Sequence, residues 1–178
     1  LDDLYILTTR ERARAAFDNV TTEVAIGAAV RTHLGKLRVW SKDEGDCSPG
    51  FEDFEVDVWA GGAAPACRGV KGLGTPLGHP EFVAAHADKR MAEERRFLDK
   101  LCKLEDLQCA WLLLSFCAVP RASHLLRVLP PTTVANYAQQ HDTAIWDTFC
   151  KLLHAGRLKR GRLARQVATL PARSGGLG

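Results

Sequence analysis

Val70-Lys71-Gly72-Leu73-Gly74-Thr75-Pro76-Leu77-Gly78 divides this chain into two kinds of sequence. Glycines punctuate short apolar pieces here, the pattern of a tight β-hairpin. Before it lie short extended pieces, one helical stretch and a long polar loop. After it the apolar spacing turns helical and stays so.

On the downstream side, Pro80 suits a first helical turn, where its missing N–H costs nothing. Val83, Ala87, Met91, Leu98, Leu101 and Cys102 follow at helical spacing, with the phase carried through Glu94. Lys89, Glu93, Arg96 and Lys100 solvate the other side. A second helix is predicted from about residue 105 to 119, interrupted at Pro120. Pro130-Pro131 ends the next short helix. Thr132 or Thr133 can then cap a third long helix to about residue 154, striped by Val134, Ala138, Ile145, Phe149 and Leu152.

On the upstream side, the apolar run within residues 3–8 (Leu4, Tyr5, Ile6, Leu7) predicts a strand. Thr8 and Glu11 have capping-box spacing for a helix to about Ala29, striped by Ala13, Phe17, Val20, Val24 and Ala28. Leu37-Arg38-Val39-Trp40 alternates with period two and predicts another strand. The stretch holding Pro49, Gly50, Gly61, Gly62 and Pro65 reads as a long loop, with strand pieces such as residues 54–59 interrupting it.

The 178 residues, 46% hydrophobic and 25% charged, have the composition of a soluble globular protein with a packed core. The net charge of +3 hides an uneven distribution. Residues 43–57 carry seven acids and no base, so the rest of the chain is markedly basic. The tail after residue 155 has Arg157, Lys159, Arg160, Arg162, Arg165 and Arg173, and no acid. Such a distribution suits a polyanion, because Lys and Arg displace counterions from phosphates; a solvated basic surface accounts for it as well.

The six cysteines include no C-x-x-C pair. Cys102, Cys109 and Cys117 fall in apolar helical pattern and read as small hydrophobes and reduced thiols of an intracellular protein, nuclear or cytoplasmic. No stretch of these residues reads as a signal peptide. The apolar run at residues 109–119 is shorter than the ~20 residues of a membrane helix. Both ends of the sequence read as cut.

Asp2-Asp3, directly before an apolar run, is the first chemical candidate. Adjacent carboxylates repel unless a cation lies between them, and Mg²⁺ favours oxygen ligands of this kind. A solvated turn is the plainer reading of the dipeptide alone. Gly72, Gly74 and Gly78 lack the last spacing of a dinucleotide-binding loop, and no Lys-Ser/Thr follows for a P-loop. His79 and His86 share a helical face without a third ligand. Trp111 and Trp146 read as core, whereas Trp40 and Trp59 read as core or as base-stacking surfaces.

Taken in order, Asp2-Asp3-Leu4-Tyr5-Ile6-Leu7, a helix, Gly35-Lys36-Leu37-Arg38-Val39-Trp40 and Gly72-Leu73-Gly74 resemble the closing half of a reverse transcriptase palm. Leu112-Leu113-Leu114-Ser115-Phe116-Cys117, Gln139-Gln140-His141-Asp142 and the closing Leu170-Pro171 with Gly175-Gly176-Leu177-Gly178 resemble the thumb and post-thumb of non-LTR (LINE-type) retroelement enzymes. The resemblance implies an α+β fold: the C-terminal part of a polymerase palm in residues 1–79, an α-helical thumb in 80–155 and a truncated basic segment in 156–178.

It also implies an RNA-directed DNA polymerase acting on an RNA template, a DNA primer and deoxynucleotides with two Mg²⁺ ions. Asp2 and Asp3 match the metal-motif acids. Lys36 matches the proton donor to leaving pyrophosphate, and Leu73 and Gly74 match the primer grip. Arg157, Lys159, Arg160 and Arg162 are expected on the nucleic-acid backbone. Leu37 departs from the Thr usual after the lysine. The remaining catalytic acid and the template-binding segment are expected in an upstream half outside this sequence, so the fragment alone is expected to be inactive. The alternatives are a non-catalytic helical nucleic-acid-binding module left from a decayed element, and a helical interaction protein.

Overall fold

The computed structural model describes residues 4–43, 45–54, 58–154, 162–174 and 176. The chain divides into two compact units, Leu1–His86 and Ala87–Gly178. The division falls inside one helix.

In the first unit, helix α1 runs Ala13–Ala28, entered through a 3-10 turn at Arg10–Arg12. The boundary agrees with the sequence reading. The cap does not: Thr9, not Thr8, is the cap residue of that turn, and its side chain makes no cap hydrogen bond. Ala29 ends the helix in the left-handed region at φ 53°. Only Phe17 of the expected stripe is fully buried, with Ala13, Val20 and Val24 half-buried and Ala28 exposed.

Phe17, Phe51 and Val58 form the core of this unit, with Leu37, Val39, Cys47 and Phe54 packed around them. The ring centroids of Phe17 and Phe54 lie 5.7 Å apart, edge to face. Two aromatic rings therefore anchor the acidic loop to α1. Arginines of the 3-10 turn and of α1 add to the anchor. Arg10 donates to the carbonyls of Asp46 (2.8 Å) and Cys47 (3.1 Å). Arg14 donates to the Gly50 carbonyl, pairs with Asp18 at 2.9 Å and covers the Phe54 ring at 4.9 Å.

The predicted hairpin is present. Strands β1 (Gly69–Gly72) and β2 (Thr75–Gly78) pair antiparallel, with Gly72 opposite Thr75 and Gly69 opposite Gly78. A side chain at Gly69 or Gly78 would collide with backbone across the ladder, and at Gly69 also with the Phe82 ring, so both positions require glycine. The strand expected near 37–40 contracts to one parallel bridge, Val39 to Trp59. Val39 donates to Val58 (2.7 Å) and accepts from Ala60 (2.9 Å). The strand expected in residues 3–8 does not form over its described part. Leu4–Thr8 has no ladder partner and is exposed; without a neighbouring strand, an apolar alternation has no sheet to join.

In the helical part, α2 (Pro80–Leu101) begins at the expected proline. In the second unit its inward row is Ala87, Met91, Glu94, Leu98 and Leu101. Asp106 then caps α3 (Leu107–Leu113), accepting from the Cys109 amide at 2.9 Å. A π-helical turn at Leu114–Ala118 and a 3-10 turn at Val119–Ala122 lead to α4 (Ser123–Val128). Pro120 explains the change: it has no N–H for the α ladder, and its ring displaces the preceding turn. Cys109 and Cys117 are exposed rather than packed, and none of the six described cysteines is in a disulfide. The run Leu107–Val128 is long and apolar enough by length and composition to cross a membrane. Its Ala110, Leu114, Ala118, Ala122 and Leu125 are buried within the helical unit.

Helix α5 (Pro131–Leu152) starts with Pro131 in its first turn and Pro130 at the cap, not with a threonine cap. Its buried positions are Val134, Tyr137, His141, Thr148 and Cys150. The inner face thus carries Tyr137 and His141, where the apolar reading had placed Ala138. Two clusters fill the unit. One joins Ala87, Met91, Ala122, Leu125 and Tyr137. The other joins Leu98, Leu101, Leu114 and Ala118, with Phe97, Trp111, Ile145 and Phe149 against it. Helix α6 (Arg162–Ala168) is short and carries exposed Leu163 and Val167.

The architecture is α+β. Among the described residues, the β part is one two-stranded sheet and one bridge, which falls short of a polymerase palm.

Candidate nucleic-acid interface

The hairpin tip is the most unusual backbone in the first unit. Leu73 and Gly74 occupy the two corner positions with φ of 50° and 79°. Two positive φ values in a two-residue loop make a type I′ turn, whose twist matches that of the flanking strands. Gly74 accepts this conformation freely. Leu73 does not, since its Cβ crowds the following carbonyl. Its side chain is nevertheless 77% exposed, so no packing of that side chain offsets the strain. A strained, solvent-facing leucine is a feature in need of a use.

Tyr5 closes over this tip. The Leu73 amide donates to the Tyr5 hydroxyl at 3.0 Å. A Cβ added at Gly72 would lie 3.7 Å from the Tyr5 ring, so the ring rests on the end of β1. The sequence segment that carries the acid pair and the segment read as a primer grip are therefore in contact through Tyr5. Asp2 and Asp3 themselves lie outside the described residues, as do Arg157, Lys159 and Arg160.

Lys36 ends a 3-10 turn at Leu34–Lys36 and is exposed. Its amide donates to the His33 carbonyl at 3.0 Å, and Arg38 donates back to the Gly35 and Leu37 carbonyls. Arg162 opens α6; its side chain is not described. Among the described residues, no group of three His, Cys, Asp or Glu side chains converges as a metal site.

Sequence reasoning missed a second polar constellation. Glu94 of α2 is 1% exposed. Its Oε1 accepts from the Tyr137 hydroxyl at 2.5 Å, and its Oε2 lies 2.8 Å from His141 Nδ1. His141 Nε2 lies 3.2 Å from the Val119 carbonyl. Arg90 approaches Glu94 Oε1 at 3.6 Å from the solvent side.

Burial pushes the Glu94 carboxyl up, but the hydrogen bonds from His141 and Tyr137 and the charges of His141 and Arg90 outweigh it and hold it below the ordinary range. Burial pushes His141 down, and the bond and charge of Glu94, with the Val119 carbonyl and Asp142, raise it above its usual value. Burial first, then Glu94, drives the Tyr137 phenol far up. One signal was visible beforehand, namely a glutamate in phase with an apolar stripe. The Tyr137 and His141 pair, four apart on α5, completes it.

An open groove of about 530 Å³ runs along α2 and α5, lined by Arg95, Asn136, Gln139, Gln140, Thr143 and Lys151 among others. Arg95 donates to Gln140 across it at 2.8 Å. No family model matches the chain, and neither a curated protein nor a solved structure matches it.

Proposed function

We propose that the chain is the distal part of an RNA-directed DNA polymerase of the non-LTR retroelement type: the last edge of the palm, then a helical thumb. The observation that supports this most is the hydrogen bond from the Leu73 amide to the Tyr5 hydroxyl. Polymerisation requires the primer terminus to be held beside the catalytic carboxylates, because in-line attack depends on near-contact geometry. Tyr5 follows the acid pair closely in sequence, so its bond to the turn is what would link the segment of the carboxylates to the primer.

In this reading Asp2 and Asp3 hold Mg²⁺, for which two hard carboxylate donors fit. The ions supply charge neutralisation at the attacking and leaving oxygens when bound. Leu73 presents an exposed apolar surface to the primer end, while Gly74 lets backbone approach it. Lys36, on an exposed turn, is free in position to deliver a proton to departing pyrophosphate. Arg157, Lys159, Arg160 and Arg162 would neutralise duplex phosphates. The remaining acid and the rest of the palm sheet would come from upstream polypeptide.

The test is fluorescence anisotropy of a labelled RNA–DNA primer–template titrated with the 178-residue chain at several salt concentrations. Binding of similar strength to unrelated sequences, falling with salt, is expected, because backbone contacts carry no base information. Such binding without metal-dependent catalysis by any longer form would favour the second reading, a non-catalytic helical nucleic-acid-binding module. Absence of binding would leave the helical interaction protein.

A further inference from the structure

We propose that Glu94, Tyr137 and His141 form a proton-dependent latch that fastens α5 to α2 and to the turn at Val119, and that loss of one proton from the Glu94–His141 pair releases it. The geometry carries the argument. His141 sits between two acceptors, the Glu94 carboxylate at 2.8 Å and the Val119 carbonyl at 3.2 Å. A carbonyl only accepts, and an ionised carboxylate only accepts. Both contacts are satisfied together when the ring carries two N–H groups, or when the shared proton rests on Glu94 and the ring keeps its Nε2–H. Either way the pair holds one proton more than neutral imidazole facing carboxylate. Remove it, and one contact becomes acceptor against acceptor in a site where the two side chains are 6% and 2% exposed.

Among the described residues, the other donors bonded or paired to these two side chains are Tyr137 and Arg90, both on Glu94 Oε1. From α2, Glu94 and Arg90 face it, and Arg90 already lies on Oε1, the oxygen that Tyr137 bonds. From α5 come Tyr137, whose one proton is given to Glu94, and the carboxylate of Asp142. From the turn comes the Val119 carbonyl, while the Arg121 guanidinium of the same turn lies over the Phe97 ring at 5.2 Å with its Nε buried and without a hydrogen-bond partner. From α4, Leu125 packs into the cluster and His124 and Arg127 are exposed. Nor is this a catalytic relay, since both ring nitrogens are occupied and the ring is buried.

The sign of the pH dependence follows. Glu94, lowered from 4.5, stabilises above that value and loses its contribution as pH falls through its folded pKa. His141, raised from 6.5, stabilises fully below that value and loses its contribution as pH rises through its folded pKa. The latch is closed between those limits and opens on the alkaline side. Its opening frees the neighbours of Tyr137, namely Met91, Ala122 and Leu125, to repack.

The experiment is an NMR titration of the whole chain from about pH 5 to about pH 10, following imidazole ring nitrogens and amide exchange together. The His141 ring, assigned by through-bond correlation and checked by its absence in His141→Gln, should be doubly protonated at the acid end. It should titrate above 6.5, and amide exchange around Tyr137–Ala144 should accelerate through the same titration. In Glu94→Gln the His141 titration should move below the wild-type value. A wild-type His141 that is neutral throughout, or that titrates with α5 exchange unchanged, would overturn the latch. The wild-type arms stand even where a variant fails to fold.

Discussion

The Tyr5 hydroxyl accepts a hydrogen bond from the Leu73 amide at 3.0 Å, joining positions 68 residues apart. Leu73 needs the help, since its backbone is left-handed and its side chain is in solvent. Tyr5→Phe removes the acceptor and leaves the ring. The expected cost is about 1 kcal/mol, the net worth of one hydrogen bond. Amide exchange at Leu73 should quicken while exchange in α5 stays as it was. Unchanged protection at Leu73 would show that the phenol is incidental to the turn.

Leu73→Gly should raise thermal stability. Relief of the left-handed strain is worth about 1 kcal/mol, less the freedom glycine gives the unfolded chain. The same substitution should weaken primer–template binding if the exposed leucine touches the primer end. A melting temperature that rises with affinity unaltered would separate the turn from nucleic acid.

Glu94→Ala should be among the most destabilising single changes in the helical unit, at about 3–5 kcal/mol, because it strands the buried His141 ring and the Tyr137 phenol. Urea denaturation followed by circular dichroism measures it. Glu94→Ala together with His141→Leu and Tyr137→Phe should recover much of the loss, since an apolar core needs no partners for absent polar groups. A triple variant as unstable as the single one would contradict that account.

These outcomes mark where sequence was informative. Pro80 and the glycines of residues 69–78 act locally, through missing N–H groups and backbone crowding, so the start of α2 and the hairpin were legible. The run Leu4–Leu7 was misread because a strand depends on a neighbour that its own sequence does not encode. The stripe of α5 was legible at Val134, Ile145, Phe149 and Leu152 but incomplete, because apolar counting passes over Tyr137 and His141, whose polar atoms are satisfied by Glu94 on another helix. Of the candidate site, the turn at Leu73 and Gly74 was legible as a hairpin tip. The Tyr5 contact was not, since nothing local connects it with a turn so distant in the chain.

Replacing Arg157, Lys159, Arg160 and Arg162 by Ala should weaken duplex binding about equally for unrelated sequences. Each lost phosphate contact should lower the slope of log K against log salt by about 0.9 on B-DNA. Slopes identical to wild type would assign these four side chains to solvent.

The central claim is that Asp2 and Asp3 serve a polymerase. Primer extension on an RNA template with Mg²⁺ tests it most directly, using the longer polypeptide that includes this chain and its Asp2→Asn and Asp3→Asn variants. Asn keeps the shape and loses the charge that binds the ion. The account predicts that the wild type extends the primer, that Asp2→Asn abolishes nearly all extension, and that Asp3→Asn impairs it less. Extension at the wild-type rate by both variants would contradict it.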